Sequence, residues 1–457
     1  MSEQTSHHPL SAEPRAAGRE DIRGHRGSIL SGLRGKVGED MWIFLAAVLS
    51  GVIIGLAAWA LKWLIASISR FSIFGVVDRL GWWSVVLLPV AGILIVGIFQ
   101  RYIIRRELYN GEARLRADFA RGRYRMPVAL TYSPIIGCAV TLGFGGSAGA
   151  EGPIAYSGAA IGDNVGRLLG ISGRGLREMM AIGAGAGIAA IFKAPVGGAL
   201  FTLECLGIGS SLMTTLALFA GCVCAGMTEY AVSGMTPNIN FPAFTNFDWH
   251  LTLPLIALGL FCGIYSAYYS TMMRVFSRLF RGVSSPWARN IISGLTIGIL
   301  VFTFPALFGE GYGVISGILD GHPETTVFRS PLLHLSIPPG SLLLFVCFGV
   351  LALKAIGTAS TNNGGGVAGD FAPTLFAGAV LGFFFARMAG VLFGAELPVA
   401  DFAFYGMAGV MAGAIRAPLM AMFIVTETTM QPTALLPVAI AATLSYAVVR
   451  LIERARR

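Results

Sequence analysis

The stretch Ile191-Phe-Lys-Ala-Pro-Val-Gly-Gly-Ala-Leu-Phe-Thr-Leu-Glu204 returns later in the chain as Ala414-Ile-Arg-Ala-Pro-Leu-Met-Ala-Met-Phe-Ile-Val-Thr-Glu427. In each copy a basic residue (Lys193, Arg416) precedes an Ala-Pro pair (Ala194-Pro195, Ala417-Pro418), and a glutamate follows that alanine by ten residues. A glycine- and alanine-rich segment comes before each copy, Gly183-Ala-Gly-Ala-Gly in the first and Gly406-Met-Ala-Gly in the second. Agreement at so many fixed offsets marks an internal duplication, with halves of roughly 200 residues. Membrane transporters built this way place their site where the repeats meet, near the bilayer midplane.

Composition puts that duplication in a membrane. Of 457 residues, 55% are hydrophobic and 12% are charged, and the mean hydropathy is +0.71. Soluble domains carry roughly 25% charged residues, so this chain lacks the polar surface to stay in water. Its 60 glycines follow no Gly-x-y period, which excludes collagen, and abundant Phe, Leu, Ile and Val exclude disorder. The net charge of +9 sits in short segments between apolar runs, where the positive-inside rule accounts for it without a nucleic-acid partner. The cysteines (Cys138, Cys205, Cys222, Cys224, Cys262, Cys347) form no C-x-x-C pair and have no neighbouring histidine. They read as apolar packing residues, with no metal or cofactor site. Residues 1–40 hold no apolar stretch, so a cytoplasmic tail is expected there rather than a signal peptide.

Apolar runs cover Met41–Ala66, Trp82–Phe99, Pro127–Gly143, Met179–Leu203, Leu212–Val232 and Leu251–Met273. The second half continues with Ile291–Phe308, Ser341–Ile356, Leu375–Leu392, Phe402–Val425 and Leu435–Leu451. A straight span takes about 20 apolar residues, and several of these runs are short or cut by Gly and Pro. Such breaks survive in a bilayer only where protein or a water-filled cavity satisfies the freed backbone. The expected fold is therefore all-α and polytopic, with tilted and partial transmembrane helices in two inverted-topology repeats. The first repeat spans residues 41–235 and the second 250–452. Arginines crowd the segment 101–125, the connection Arg274–Arg289 and the tail Arg450–Arg457, whereas Ser233–His250 and Gly309–Ile337 together hold one arginine and no lysine. The basic segments and both termini then face the cytoplasm, in a cell's inner membrane.

Two glycine-rich openings carry the chemistry: Gly145-Gly146-Ser147-Ala148-Gly149-Ala150-Glu151-Gly152-Pro153 and Gly364-Gly365-Gly366-Val367-Ala368-Gly369-Asp370-Phe371-Ala372-Pro373. Each ends in a proline, favoured in a helix's first turn, and each runs into an apolar helix. Free N–H groups and the positive end of the helix dipole make such a start an anion site. Two of them, one per half, can face each other and hold a dehydrated anion without full positive charges. A cation would meet the wrong end of both dipoles. Glu151 lies inside the first opening, and a carboxylate within a membrane segment is a functional residue by default. It is itself a tethered anion: ionised, it fills the N–H cradle; protonated, it leaves and a free anion enters. The alternative is a helix-capping glutamate without a transport role.

Gly149-Ala150-Glu151-Gly152-Pro153 resembles the G-[KR]-E-G-P motif of the CLC chloride channels and proton-coupled anion exchangers, and Gly369-Asp370-Phe371-Ala372-Pro373 resembles their G-x-F-x-P motif. The segments around Ala194-Pro195 and Ala417-Pro418 are similar to the family's N-A-P and R-A-P stretches, and the resemblance runs from about Trp42 to Leu451. It implies a CLC-like homodimer in the lipid membrane with a separate pore in each subunit, carrying chloride or a similar small anion. It implies Glu151 as a voltage- or pH-dependent external gate, and anion contacts from the N–H groups of Ala150, Glu151, Gly152, Asp370, Phe371 and Ala372. Proton-coupled exchange of chloride or fluoride is the alternative mechanism.

The departures from the family pattern are specific. The G-S-G-I-P motif is absent, and a gap-free count from Glu151 puts Asn110 where its serine stands; an amide N–H can donate to an anion there, or Asn110 is an ordinary loop residue. Ala150 replaces a basic residue, and Asp370 puts an acid where anions pass, so its side chain is expected to point away. Cys205 stands where exchangers carry an internal glutamate. Glu204 is a possible internal proton site in its place, or, like its repeat counterpart Glu427, a group that satisfies backbone amides. The family's inner tyrosine has no match, Tyr446 being too early, and no cytoplasmic CBS pair follows. A membrane serine hydrolase is the distant alternative. Gly145-Gly-Ser147-Ala-Gly149 fits G-x-S-x-G, which makes Ser147 a hydrolase nucleophile only on a strand–turn–helix elbow with His and Asp partners.

Overall fold

The computed structural model describes residues 38–108, 111–120, 125–207, 211–239, 241, 247–321 and 339–456. Most of the tail expected at 1–40, and Asn110, lie outside them. Among the described residues the regular elements are helices, and the lone β-type pairing joins Gly149 to Gly369. The first half runs α1 (Glu39–Arg70, continuing through a π-helical turn to Leu80), α2 (Leu88–Ile98), α3 (Gly111–Ala120), α4 (Ser133–Gly143), α5 (Glu151–Leu168), α6 (Arg174–Phe192), α7 (Pro195–Leu206) and α8 (Leu212–Val232). The second runs α9 (Thr252–Arg281), α10 (Pro286–Thr303), α11 (Tyr312–Leu319), α12 (Pro339–Asn363), α13 (Phe371–Phe393), α14 (Val399–Ile415), α15 (Pro418–Thr428) and α16 (Leu435–Ala455). Among the described residues eight helical segments are long and apolar enough to cross a membrane, including those of α1, α8, α9, α13 and α16, while α7, α14 and α15 are apolar but short.

Two apolar runs that read as single helices are each two. Met179–Leu203 breaks into α6 and α7 at Lys193 (φ 58°), and Phe402–Val425 breaks into α14 and α15 at Arg416 (φ 65°). The basic residue takes a left-handed C-cap, and the alanine after it is held extended by the following proline (φ −125° at Ala194, −132° at Ala417). Proline then opens the next helix, where its missing N–H costs nothing.

The duplicated stretches meet each other. Glu427 accepts hydrogen bonds from the N–H groups of Val196 (3.1 Å) and Gly197 (2.8 Å) at the start of α7. Reciprocally, Glu204 accepts from Leu419 (3.2 Å) and Met420 (2.8 Å) at the start of α15. Each copy therefore caps the other's helix with a carboxylate at the positive end of the dipole. The same pairing recurs in the packing. α5 crosses α6 with Gly158 against the carbonyl of Gly183, and α13 crosses α14 with Gly378 against the carbonyl of Gly406, at distances where a Cβ would collide with backbone. Small residues let membrane helices approach this closely, and van der Waals contact then holds them. Glu204→Ala is expected to lower stability by about 1–2 kcal/mol, the loss of two charge-assisted bonds at a half-exposed site, seen as an earlier thermal aggregation midpoint in detergent. If Glu204 were instead the internal proton site that the family resemblance leaves open, the same variant would lose proton coupling at unchanged stability.

Candidate anion site

The two glycine-rich openings are bound to each other before either reaches its helix. Gly149 N donates to Gly369 O (3.0 Å) and Gly369 N to Gly149 O (2.7 Å). Two threonines brace the loops crosswise: Thr141 Oγ1 accepts from Val367 N (3.0 Å), and Thr361 Oγ1 from Ser147 N (3.1 Å). The result sets the first turns of α5 and α13 side by side, with their orphan N–H groups converging. Glycine is required at this seam, because a Cβ on Gly369 would sit 2.6 Å from Gly152 N and one on Gly149 would strike the Glu151 carboxylate.

Glu151 is fully buried at the first position of α5. Its carboxylate lies where its own N–H and that of Ala372, at the start of α13, act on it. Tyr312 Oη stands 3.4 Å from Oε1, while Oε2 is buried without a full hydrogen bond. The negative group thus occupies a cradle of two helix N-termini and is loosely held there. The other residues of the two motifs are gathered at the same place: Ala150 and Gly152 flank Glu151, and Phe371 and Ala372 are buried in the first turn of α13. Asp370 caps α13, and its Oδ1 accepts from the side-chain amide of Asn362. The acid is thereby engaged by Asn362 on α12.

Besides Tyr312, two charged side chains reach this site from outside the motifs. The loop Phe308–Tyr312 reaches over the start of α5, where Glu310 Oε1 accepts from Ala150 N at 3.2 Å. One of the N–H groups expected to meet an anion is thus already taken by a second carboxylate. Lys354, on α12, is wholly buried. Its Nζ donates to Ser147 Oγ (3.0 Å) and Gly309 O (3.4 Å), lies 4.7 Å over the Phe376 ring, and faces the charges of Glu310 and Glu151. Lys354 was legible in the sequence as a single lysine inside the run Ser341–Ile356, by the rule that singled out Glu151. Glu310 was not, since nothing local ties an acid in a loop 160 residues away to residue 150.

Ser147 stands in the loop between α4 and α5, not on a strand–turn–helix elbow, and its hydroxyl is taken by Lys354. Glu204 is at the α7–α15 contact and belongs to no part of the Glu151 cradle that the hydrogen bonds define. Among the described residues no cluster of His, Cys, Asp or Glu is fit to hold a metal ion.

The family model described as voltage gated chloride channel matches residues 92–450. The chain belongs to the voltage-gated chloride channel (CLC) family. This CLC protein is similar to a ClcB-like protein of Ralstonia nicotianae, 27% identical over 84% of this chain and 87% of that one. It is also similar to the H(+)/Cl(-) exchange transporter ClcA of Cronobacter sakazakii, 27% identical over 92% of this chain and 89% of that one. Its fold matches a slow cyanobacterial Cl-/H+ antiporter with a TM-score of 0.76 at 22% identity, covering 90% of this chain and 95% of that one. A CLC-type fluoride/proton antiporter aligns with a TM-score of 0.70 at 23% identity over the same shares. The all-helical membrane architecture read from the repeats is thus that of CLC transporters, and the protein is a CLC-family anion transporter.

Proposed function

We propose that the protein moves chloride or a similar small anion along a pathway closed by Glu151. The seat for the anion is made by the N–H groups of Glu151, Gly152, Asp370, Phe371 and Ala372, with that of Ala150 joining only when Glu310 gives it up. One observation carries this reading: the Glu151 carboxylate lies buried between two facing helix N-termini, where a free anion would gain the same dipoles. While ionised it competes for that seat, and protonation by the outer solution releases it. The protein would work as a homodimer in a bacterial inner membrane with both termini in the cytoplasm, as the basic segments and the bacterial relatives suggest.

Proton-coupled exchange is the second reading, favoured by Glu310. The residue is half-buried and its carboxylate holds the Ala150 amide beside Glu151, a position from which it could hand protons to Glu151. Cys205, where an internal glutamate would stand, supplies no matching inner station. Glu310→Gln removes a negative charge beside Glu151. The midpoint for activation by external protons should then fall by about one pH unit, measured as chloride flux against external pH. An unmoved midpoint would detach Glu310 from the gate.

The deciding experiment uses chloride-loaded liposomes holding purified protein, with an outward chloride gradient and no proton gradient. Uphill proton uptake that persists with the voltage clamped by a potassium ionophore means exchange. Chloride loss without proton movement means a channel or uncoupled carrier with Glu151 as gate only. Movement of neither ion, with fluoride as well as chloride, would overturn the proposal.

A further inference from the structure

A cavity of about 540 Å³ opens on the arginine-rich face, remote in sequence from the Glu151 loop. Arg101, Arg105, Arg106 and Arg289 line it with the single acid Glu107, and Trp287 forms a wall. The positive-inside rule accounts for arginines on this face, but not for four guanidinium groups converging on one concavity. Among the described residues no ion pair ties down any of the four. Arg289 Nε is buried and donates to nothing, and the Arg101 guanidinium stacks 5.4 Å over the Trp287 ring. Like charges gathered in a partly enclosed space repel unless an anion sits among them. The helix ending at Ile104 closes in a left-handed Arg105 (φ 56°), which turns Arg105 and Arg106 back toward the cavity.

We propose that this cavity binds a phosphate group. Planar guanidinium forks match phosphate oxygens two at a time, and the volume falls within the ~300–1,000 Å³ of small-molecule sites. Basic pockets between helices at the cytoplasmic surface suit anionic lipid headgroups, and a soluble organic phosphate offers the same oxygens. Two amides connect the cavity floor to the second glycine-rich loop. Gln100 Nε2 donates to Gly365 O (3.0 Å), and the Asn290 amide nitrogen, placed by its acceptors, donates to Gly364 O (2.7 Å). That loop leads directly into the start of α13, so an occupant is positioned to influence the anion seat.

The test compares two charge-matched triple variants of the full chain, neither touching the Glu151 site. One replaces Arg101, Arg105 and Arg289 by Gln; the other replaces Arg274, Arg278 and Arg281, exposed arginines of the same face. Native mass spectrometry counts phosphatidylglycerol retained from mixed phosphatidylcholine bilayers, and calorimetry in pure phosphatidylcholine nanodiscs measures tripolyphosphate binding. The wild type and the surface triple should bind in at least one arm, and the cavity triple about tenfold more weakly or worse. Retention of lipid alone identifies a headgroup site, and binding of tripolyphosphate alone a soluble phosphate site. No binding in either arm, or equal loss in both triples, overturns the proposal. Should the cavity triple fail to fold, Arg289→Gln alone carries the comparison, with the same outcomes. Neither arm reads transport, so failure here is separable from failure of the gating proposal.

Discussion

Glu151→Gln is expected to abolish the response of anion flux to external pH and any proton uptake, while chloride still passes. The amide has the size of the carboxyl but never the charge, so it cannot compete for the N–H groups of α5 and α13. Nothing else needs to change for the gate to stay open: Oε2 makes no full hydrogen bond and Tyr312 approaches Oε1 only at 3.4 Å, a separation at which a hydroxyl bond is weak. Chloride efflux from liposomes, measured across a range of external pH, gives the answer. A pH profile matching the wild type would remove Glu151 from gating and leave it a helix-starting carboxylate.

Lys354→Met is expected to be the most damaging single change away from Glu151. The ammonium is buried and serves two carboxylates, Glu310 and Glu151, besides donating to Ser147 Oγ and Gly309 O. Methionine keeps much of the volume and removes the charge. A unit charge several ångströms from a passing anion contributes about 3 kcal/mol at an effective dielectric near 20, so half-saturating chloride should rise roughly 100-fold. Lys354→Arg, which keeps the charge, should recover part of that loss. If Lys354 were only a buried ion-pair partner with no part in transport, the methionine variant would carry chloride as well as the wild type. Its stability would fall, since removing one partner leaves the Glu310 and Glu151 carboxylates without their cation, so flux is compared per folded molecule.

The duplicated stretches and the two glycine-rich openings were readable because their signals are local: fixed offsets, a Gly run, a proline in the first turn. From them came the helical architecture, the facing N-termini and Glu151. The breaks at Lys193 and Arg416 escaped hydropathy, which sees one apolar run where a left-handed residue and an Ala-Pro pair make two helices. The reciprocal caps of Glu204 and Glu427 were half visible. Their matching positions said that they share a task, and only the packing of α7 on α15 says that each serves the other's helix.

What the chain by itself determined is its membrane class, its repeats and the two glycine-rich helix starts, since each rests on a pattern of neighbouring residues. Only the tertiary structure decided what surrounds Glu151. Glu310 is 160 residues from the amide it holds, and Lys354 is 207 residues from the serine it meets. The arginines of the basic cavity likewise come from two distant segments. A charge buried in a bilayer must find partners, but one-dimensional order does not say which; helix packing makes that choice by bringing remote loops within hydrogen-bond reach.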